Sequence, residues 1–395
     1  MSAETLDVVP DLPALRAAYA RFLVGDRVLL TGHSHQAWPD VARDALLRSF
    51  DDAARFVDDK WDEAVFPMLD RVGAGILARM GFDAGDAIAF GKSTHELVFR
   101  LLTCFPVASR PRIVTTTGEF HSLHRQLARL AEEGAEVVWV PAEPREGLAD
   151  RLLQAIRPGT AMVAFSAVLF EDAHVVPRLG EIAARAVEVG AVPLVDAYHA
   201  FNAVPIAWGP AGDQLFVTAG GYKYAEFGEG ICWLRVPRDT ALRPVDTGWF
   251  ADFAALGAPR STTVAYGPGG ARFTGATFDA SAIYRADAVL AHWERFGLTV
   301  PLLRAISLRQ TRRILALLDA HGRSADVVSS RDDDRRGGFV AVRHAGAGAV
   351  VQRLRARSVF TDARRDLLRL GPAPYLTDAE LDRGTLAAIE ELASS

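Results

Sequence analysis

Cysteine is nearly missing: Cys104 and Cys232 are the two in 395 residues, each inside an apolar stretch. So small a number argues against a disulfide-stapled scaffold or a cysteine-rich metal site and suits reduced core thiols. No apolar run approaches the roughly 20 residues that span a bilayer. Met1-Ser-Ala-Glu-Thr-Leu-Asp7 lacks the basic-then-apolar order of a secretory signal, so the expected location is the cytoplasm. Charge of one sign is not in excess either. With 44 basic and 49 acidic residues the formal net charge is −5, which leaves no electrostatic footprint for nucleic acid or an anionic membrane. Internal repeats, low-complexity tracts and disordered linkers are also lacking.

What is present is material for a large core, since 50% of the residues are hydrophobic and the length exceeds that of a usual single-core domain. Helical periodicity over Pro39–Phe56, Phe66–Met80, Thr94–Leu102 and Arg178–Val189 alternates with short apolar or β-branched runs. These are Arg112–Thr116, Glu136–Val140, Ala161–Phe165, Pro193–Val195 and Gln214–Thr218. Such alternation predicts an α/β fold with a mostly parallel sheet covered by helices. Beyond about residue 280 come long helices, Ala282–Phe296 and Leu302–His321, a strand pair near Asp326–Val328 and Gly338–Val342, and a last helix over Asp378–Leu392. The charged run Arg331–Arg336 between those strands reads as an exposed hairpin tip. The expected division is an N-terminal segment, 1–45, packing with a smaller α+β domain, 281–395, and a large cofactor-binding domain, 46–280.

Chemistry concentrates in two places. Thr218-Ala-Gly-Gly-Tyr-Lys-Tyr-Ala-Glu226 precedes the glycine-bearing Phe227-Gly-Glu-Gly230 and the apolar Ile231–Val236. Upstream, Asp196-Ala-Tyr-His199 leaves the apolar run Ala191–Val195. A lone lysine and an aspartate, each leaving the end of a neighbouring strand, are what pyridoxal 5'-phosphate (PLP) requires. Lys223 would hold the cofactor as a Schiff base, and Asp196 would keep its pyridine nitrogen protonated so that the ring accepts electrons. Gly91-Lys-Ser-Thr-His-Glu96 opens a helix whose free N–H groups suit a phosphate, with Ser93 and Thr94 adding hydroxyls; Ser93 and Glu96 also fit a capping box. His121 and His124 could share a helix face, but no clustered third ligand stands nearby, so no metal is expected.

The Tyr222-Lys223-Tyr224 and Asp196-x-x-His199 motifs resemble the central signatures of the kynureninase branch of the class V aminotransferase family, within fold-type-I PLP enzymes. The resemblance runs from Gly32-His-Ser34 to Pro374-Tyr375 and is strongest between about 160 and 236. It implies a homodimer with shared active sites. It also implies that Tyr222 contacts the phosphate, that Phe120 stacks over the cofactor ring and that His199 contacts the cofactor. Trp249 of Gly248-Trp-Phe250 and Thr277, ending Ala271-Arg-Phe-Thr-Gly-Ala-Thr277, are implied at the phosphate and at the partner's site. Arg369, ahead of the turn Gly371-Pro-Ala-Pro-Tyr375, is implied as the clamp for a substrate carboxylate. Ser34 is kept at the substrate entrance, whereas His33 and His35 replace the family's asparagine and leucine. Leu123 stands where the family has aspartate.

The family chemistry is hydrolysis of a Cβ–Cγ bond, yielding alanine and an aromatic acid from L-kynurenine or an analogue. A class V aminotransferase, lyase or epimerase acting on another amino acid is the alternative, and a non-catalytic PLP-fold binding protein the third. A cysteine desulfurase is disfavoured, because no cysteine follows Cys232 to serve as a mobile nucleophile.

Overall fold

A computed structural model describes residues 11–83, 85–257, 259 and 261–394; the opening stretch Met1–Asp7 lies outside them. The N-terminal segment carries helix α1 (Leu12–Ala17) and the two-residue strand β1 (Val28–Leu29). Helices α2 (Val41–Phe56) and α3 (Phe66–Met80) follow, then β2 (Ala87–Gly91), α4 (Thr94–Leu102), β3 (Arg112–Thr116), α5 (His121–Glu132) and β4 (Glu136–Val140). Helix α6 (Leu148–Ala155), β5 (Thr160–Ser166), α7 (Leu179–Glu188), β6 (Val192–Asp196), β7 (Phe216–Gly220) and β8 (Cys232–Val236) complete this part. The seven strands form one sheet in the order β2-β8-β7-β6-β5-β3-β4. Pairings from β4 through β7 are parallel, and β8 alone runs against its neighbours.

Parallel order follows from the crossover helices, which bury both sheet faces and leave central strands without polar alternation. Strands β3, β7 and β8 are buried at every position. Helix α5 turns Leu123 and Leu127 inward, and α7 buries Leu179, Ile182, Ala183 and Ala186. Each pattern is the apolar stripe of a helix lying on a sheet. Parallel strands also bring the loops that leave their C-terminal ends to one edge, where open α/β sheets bind ligands. Thr116, Ser166, Asp196 and Gly220 end β3, β5, β6 and β7 on that edge.

The remaining chain supplies α8 (Ser281–Arg295), α9 (Val300–Ala320), β9 (Val340–Arg343), α10 (Ala347–Ala356), β10 (Val359–Phe360), β11 (Asp362–Arg364), β12 (Leu367–Leu370) and α11 (Asp378–Ala393). Strands β11, β12 and β9 form an antiparallel sheet, while β1 pairs in parallel with β10. Helix α11 opens with a complete capping box between Thr377 and Glu380.

Two expectations for this part need correction. The run 326–328 forms only a single antiparallel bridge, Val327 to Val342, not a strand. The charged run 331–336 is not uniformly exposed, since Arg336 is fully buried. Its guanidinium donates to the Ser330 and Arg331 carbonyls and to Thr311 Oγ1, and pairs with Asp333. A charge can be buried when every N–H has an acceptor, and sequence does not show where those acceptors are.

Candidate active site

The turn that carries Lys223 leaves β7 and folds back to β8. It is tight because Gly220 and Gly228 admit neighbours that a side chain would displace. A Cβ on Gly220 would run into Cys232 and Tyr198, and one on Gly228 would enter the Trp38 ring. Gly228 also has φ +75°, where glycine is unstrained. Glu226, at φ +57°, is not glycine and has to be held there. Its buried carboxylate accepts from Tyr19 Oη (2.9 Å), Trp293 Nε1 (3.0 Å) and Gln36 Nε2, and its amide donates to the Lys223 carbonyl at 2.9 Å. The lysine turn is thereby tied to the N-terminal segment and to α8.

Lys223 is 6% exposed. Its Nζ lies 2.7 Å from His199 Nε2, 4.5 Å from the Tyr198 ring centroid and 5.4 Å from that of Phe120. Burial pushes this amine down to about 7; Asp196 opposes the shift, while Arg369 and Arg364 add to it. A neutral amine is a nucleophile and a base where an ammonium is neither. His199 is held well below its ordinary range by burial and then by the Lys223 charge, so it is a neutral imidazole. Its Nδ1 is buried without a partner. Asp196 Oδ1 accepts the Tyr198 amide at 2.8 Å; burial raises its carboxyl, with the Tyr198 amide and Lys223 pulling the other way.

These groups face a cavity of about 220 Å³ whose lining includes Ser93, Thr94, Phe120, Asp196, His199, Tyr222 and Lys223. At one end is the start of α4, where Ser93 Oγ accepts the Glu96 amide at 3.2 Å. The reciprocal half of the capping box is displaced by one residue, since Glu96 accepts from the Lys92 amide. Lys92 and His95 also line this end, adding basic groups that sequence reasoning missed. Asp196, Ser166 and Thr218, side by side on adjacent strands, also line the cavity. Ser166 could have been found as the residue closing an apolar run at the same edge. The cavity thus presents a bare amine, an unpartnered imidazole nitrogen, a carboxylate floor and a helix N-terminus, the complement of PLP's aldehyde, ring and phosphate.

The other expected site residues sit differently. Trp249, 45% exposed, and Thr277 do not line this cavity. His33 is fully buried, with its ring 4.5 Å from that of Phe339 and Nε2 2.8 Å from Asp362 Oδ1. Burial pushes its imidazole down to about 4 against the pull of Asp362. Ser34 donates to the Thr31 carbonyl at 3.2 Å. His35 is exposed beside Glu229 and stacks on Tyr222, centroids 4.7 Å apart. None of these three lines the cavity.

Arg369, 2% exposed, gives Nε to Asp362 Oδ1 at 2.9 Å, Nη2 to Asp362 Oδ2, and Nη1 to the Phe170 carbonyl at 2.5 Å. It therefore has a bidentate carboxylate within its own chain. Arg364, 40% exposed at its side chain and 3.3 Å from Asp362, is a second cation whose field reaches Lys223.

Leu123 is buried against the cavity and brings no polar group where the family has aspartate. Among the described residues no cluster of three or more His, Cys, Asp or Glu could hold a metal. No helix there is long and apolar enough to cross a membrane. Cys104 and Cys232 are unbonded.

Sheet, lysine turn and cavity together define a fold-type-I PLP-dependent enzyme. Comparison with known proteins narrows the class. A profile described as "Kynureninase C-terminal domain" matches residues 303–387. The chain is 24% identical over 349 residues to a kynureninase of Geobacillus thermodenitrificans, covering 82% of this chain and 78% of that one. It is also 24% identical over 373 residues to one of Bacillus thuringiensis, covering 90% and 86%. Among solved structures it superposes on an apo cysteine desulfurase from Thermococcus onnurineus (TM-score 0.76, 16% identity, covering 97% and 98%). It also superposes on a C-DES mutant with glycine covalently linked to its PLP cofactor (TM-score 0.79, 16% identity, covering 95% and 99%). The chain thus resembles kynureninases over most of its length, and its cofactor is PLP.

Proposed function

We propose that this enzyme hydrolyses the Cβ–Cγ bond of L-kynurenine or a close analogue. The observation that carries the reading is the buried Lys223 amine, brought near neutrality between Asp196 and His199 at the sheet edge of a kynureninase-like chain. When bound, PLP supplies a sink for the electrons released at the substrate carbon. Lys223 Nζ would hold the cofactor and, as a free amine, would take the Cα proton of the substrate. Asp196 would keep the ring nitrogen protonated, Phe120 would cover one face and exclude water, and the start of α4 with Ser93, Thr94 and Tyr222 would hold the phosphate. Water adds to the γ-carbonyl, the Cβ–Cγ bond breaks, and alanine and anthranilate leave. Arg369, oriented by Asp362, offers its remaining N–H groups to the substrate carboxylate.

The exposed apolar side chains Trp249, Phe253, Leu256 and Val264 support a homodimer in which Trp249 and Thr277 serve the partner's site. Pairing of β1 with β10 and the Arg16–Glu380 ion pair support grouping 1–45 with 281–395, beside a cofactor-binding domain at 46–280. Two unbonded thiols suit the cytoplasm. A second reading, a class V aminotransferase, lyase or epimerase with another amino acid, is favoured by one observation: Asp362 already engages the candidate clamp Arg369. PLP-saturated protein given L-kynurenine, with Lys223→Ala as the blank, tests the first reading. Anthranilate fluorescence from the intact protein alone supports it; none, from a protein that still shows lysine-dependent PLP absorbance, overturns it.

A further inference from the structure

Glu119 is a buried carboxylate that the mechanism above does not use. It lies on the loop between β3 and α5, one residue before Phe120, and is 4% exposed. One oxygen accepts from Thr116 Oγ1 at 2.5 Å, the other from Ser166 Oγ at 2.6 Å. The loop has little room to move, since the Gly118 amide donates to Thr116 Oγ1 at 3.1 Å and the Ala142 amide to Thr117 Oγ1 at 2.9 Å. Ser166 ends β5 opposite Asp196 in the parallel register, and both line the cavity. The groups facing Glu119 are thus Thr116 from β3, Ser166 from β5 and the Asp196 carboxylate from β6.

A serine hydroxyl has one proton to give. While Glu119 takes it, Ser166 turns lone pairs toward the cavity floor; if Glu119 is neutral or absent, the same hydroxyl is free to donate there. We propose that Glu119 is a positioning residue of the cofactor pocket. It sets the direction of the Ser166 hydrogen bond beside Asp196, adds negative charge behind the floor, and anchors the loop that carries Phe120. Burial raises its carboxyl to about 7 against its two hydroxyl donors, with Asp196 adding to the rise, so the anion depends on both hydroxyls. The proposal rests on the PLP cofactor and not on the kynurenine reading.

The test is a pH titration of the absorbance of PLP-loaded full-length protein, with no substrate, for wild type, Glu119→Gln, Ser166→Ala and the double variant. Glu119→Gln keeps size while removing the charge and turning one acceptor oxygen into an N–H donor, so PLP stays bound and the midpoint of the cofactor's absorbance change falls by about one pH unit. Ser166→Ala moves it the same way, because Glu119 without that donor holds its proton to higher pH. The double variant shifts by less than the two single shifts added. A Glu119→Gln protein with PLP bound and an unmoved midpoint, or single shifts that simply add, would overturn the proposal. Failure of anthranilate production has no bearing on this result, so the two readings fail independently.

Discussion

Replacing Lys223 by methionine should make the PLP-free protein more stable. Lysine has an ordinary pKa of 10.5, and burial brings this one to about 7; the difference corresponds to about 4–5 kcal/mol of penalty on the charged form. Methionine is similar in length and carries no charge, but its introduction also removes a cation near Asp196, so a net gain of about 2–4 kcal/mol is expected. The sign follows from proton linkage. Below pH 7 the amine is protonated in folded and unfolded chains alike, and the whole penalty is present. Between pH 7 and 10.5 the unfolded chain binds a proton that the folded one has shed, so wild-type stability rises with pH until the penalty vanishes. At pH 9.5 only about 1.4 kcal/mol should remain. For 395 residues the unfolding entropy makes 1 kcal/mol worth about 1 °C. Calorimetry of PLP-free proteins should then show the variant melting about 2–4 °C above wild type at pH 6.5, with most of the gap lost at pH 9.5. A gap that does not change with pH, or a variant less stable at pH 6.5, would refute the assignment of a buried, strained amine.

Arg369→Gln should lose stability as well as substrate affinity, because it takes the bidentate partner from the half-buried Asp362 carboxylate; with His33 and Arg364 still beside Asp362, the cost is about 1–3 kcal/mol. Thermal unfolding should fall together with a raised KM, and an unchanged melting temperature would show that Asp362 does not depend on the pair. Trp249→Asp should weaken self-association and PLP retention together, as measured by sedimentation and by dialysis against PLP-free buffer. Loss of one without the other would separate Trp249 from the cofactor.

Much of this arrangement was legible because its signals are local. Lys223, Asp196 and His199 follow apolar runs that become β7 and β6, and Ser93 and Thr94 open an amphipathic helix. Once strands are parallel, their C-terminal ends meet. Pairings set by distant segments were not legible. Nothing near Ser166 in sequence marks it as the partner of Glu119. That Arg369 faces Asp362 follows from the β11–β12 register, which the turn between them sets. His33 reads as an entrance residue by position, yet its ring packs on Phe339 from another part of the chain. Arg336 reads as solvated because its run is charged, while its acceptors, two backbone carbonyls, the Thr311 hydroxyl and Asp333, come together only on folding.

The tie between Glu226 and Tyr19, Gln36 and Trp293 has a consequence for how the protein is made. Tyr19 also packs on Tyr375, centroids 4.5 Å apart, and Arg16 donates to the Tyr375 carbonyl and to Glu380. A growing chain has synthesised Lys223, Asp196 and the start of α4 long before Trp293 and Tyr375 leave the ribosome. Until then Glu226 lacks its Trp293 donor, and Tyr19 and Arg16 of the N-terminal segment lack their seat on Tyr375 and Glu380. The lysine turn therefore reaches its final shape only when the two ends of the chain meet, and a nascent or C-terminally truncated chain should hold PLP loosely or not at all.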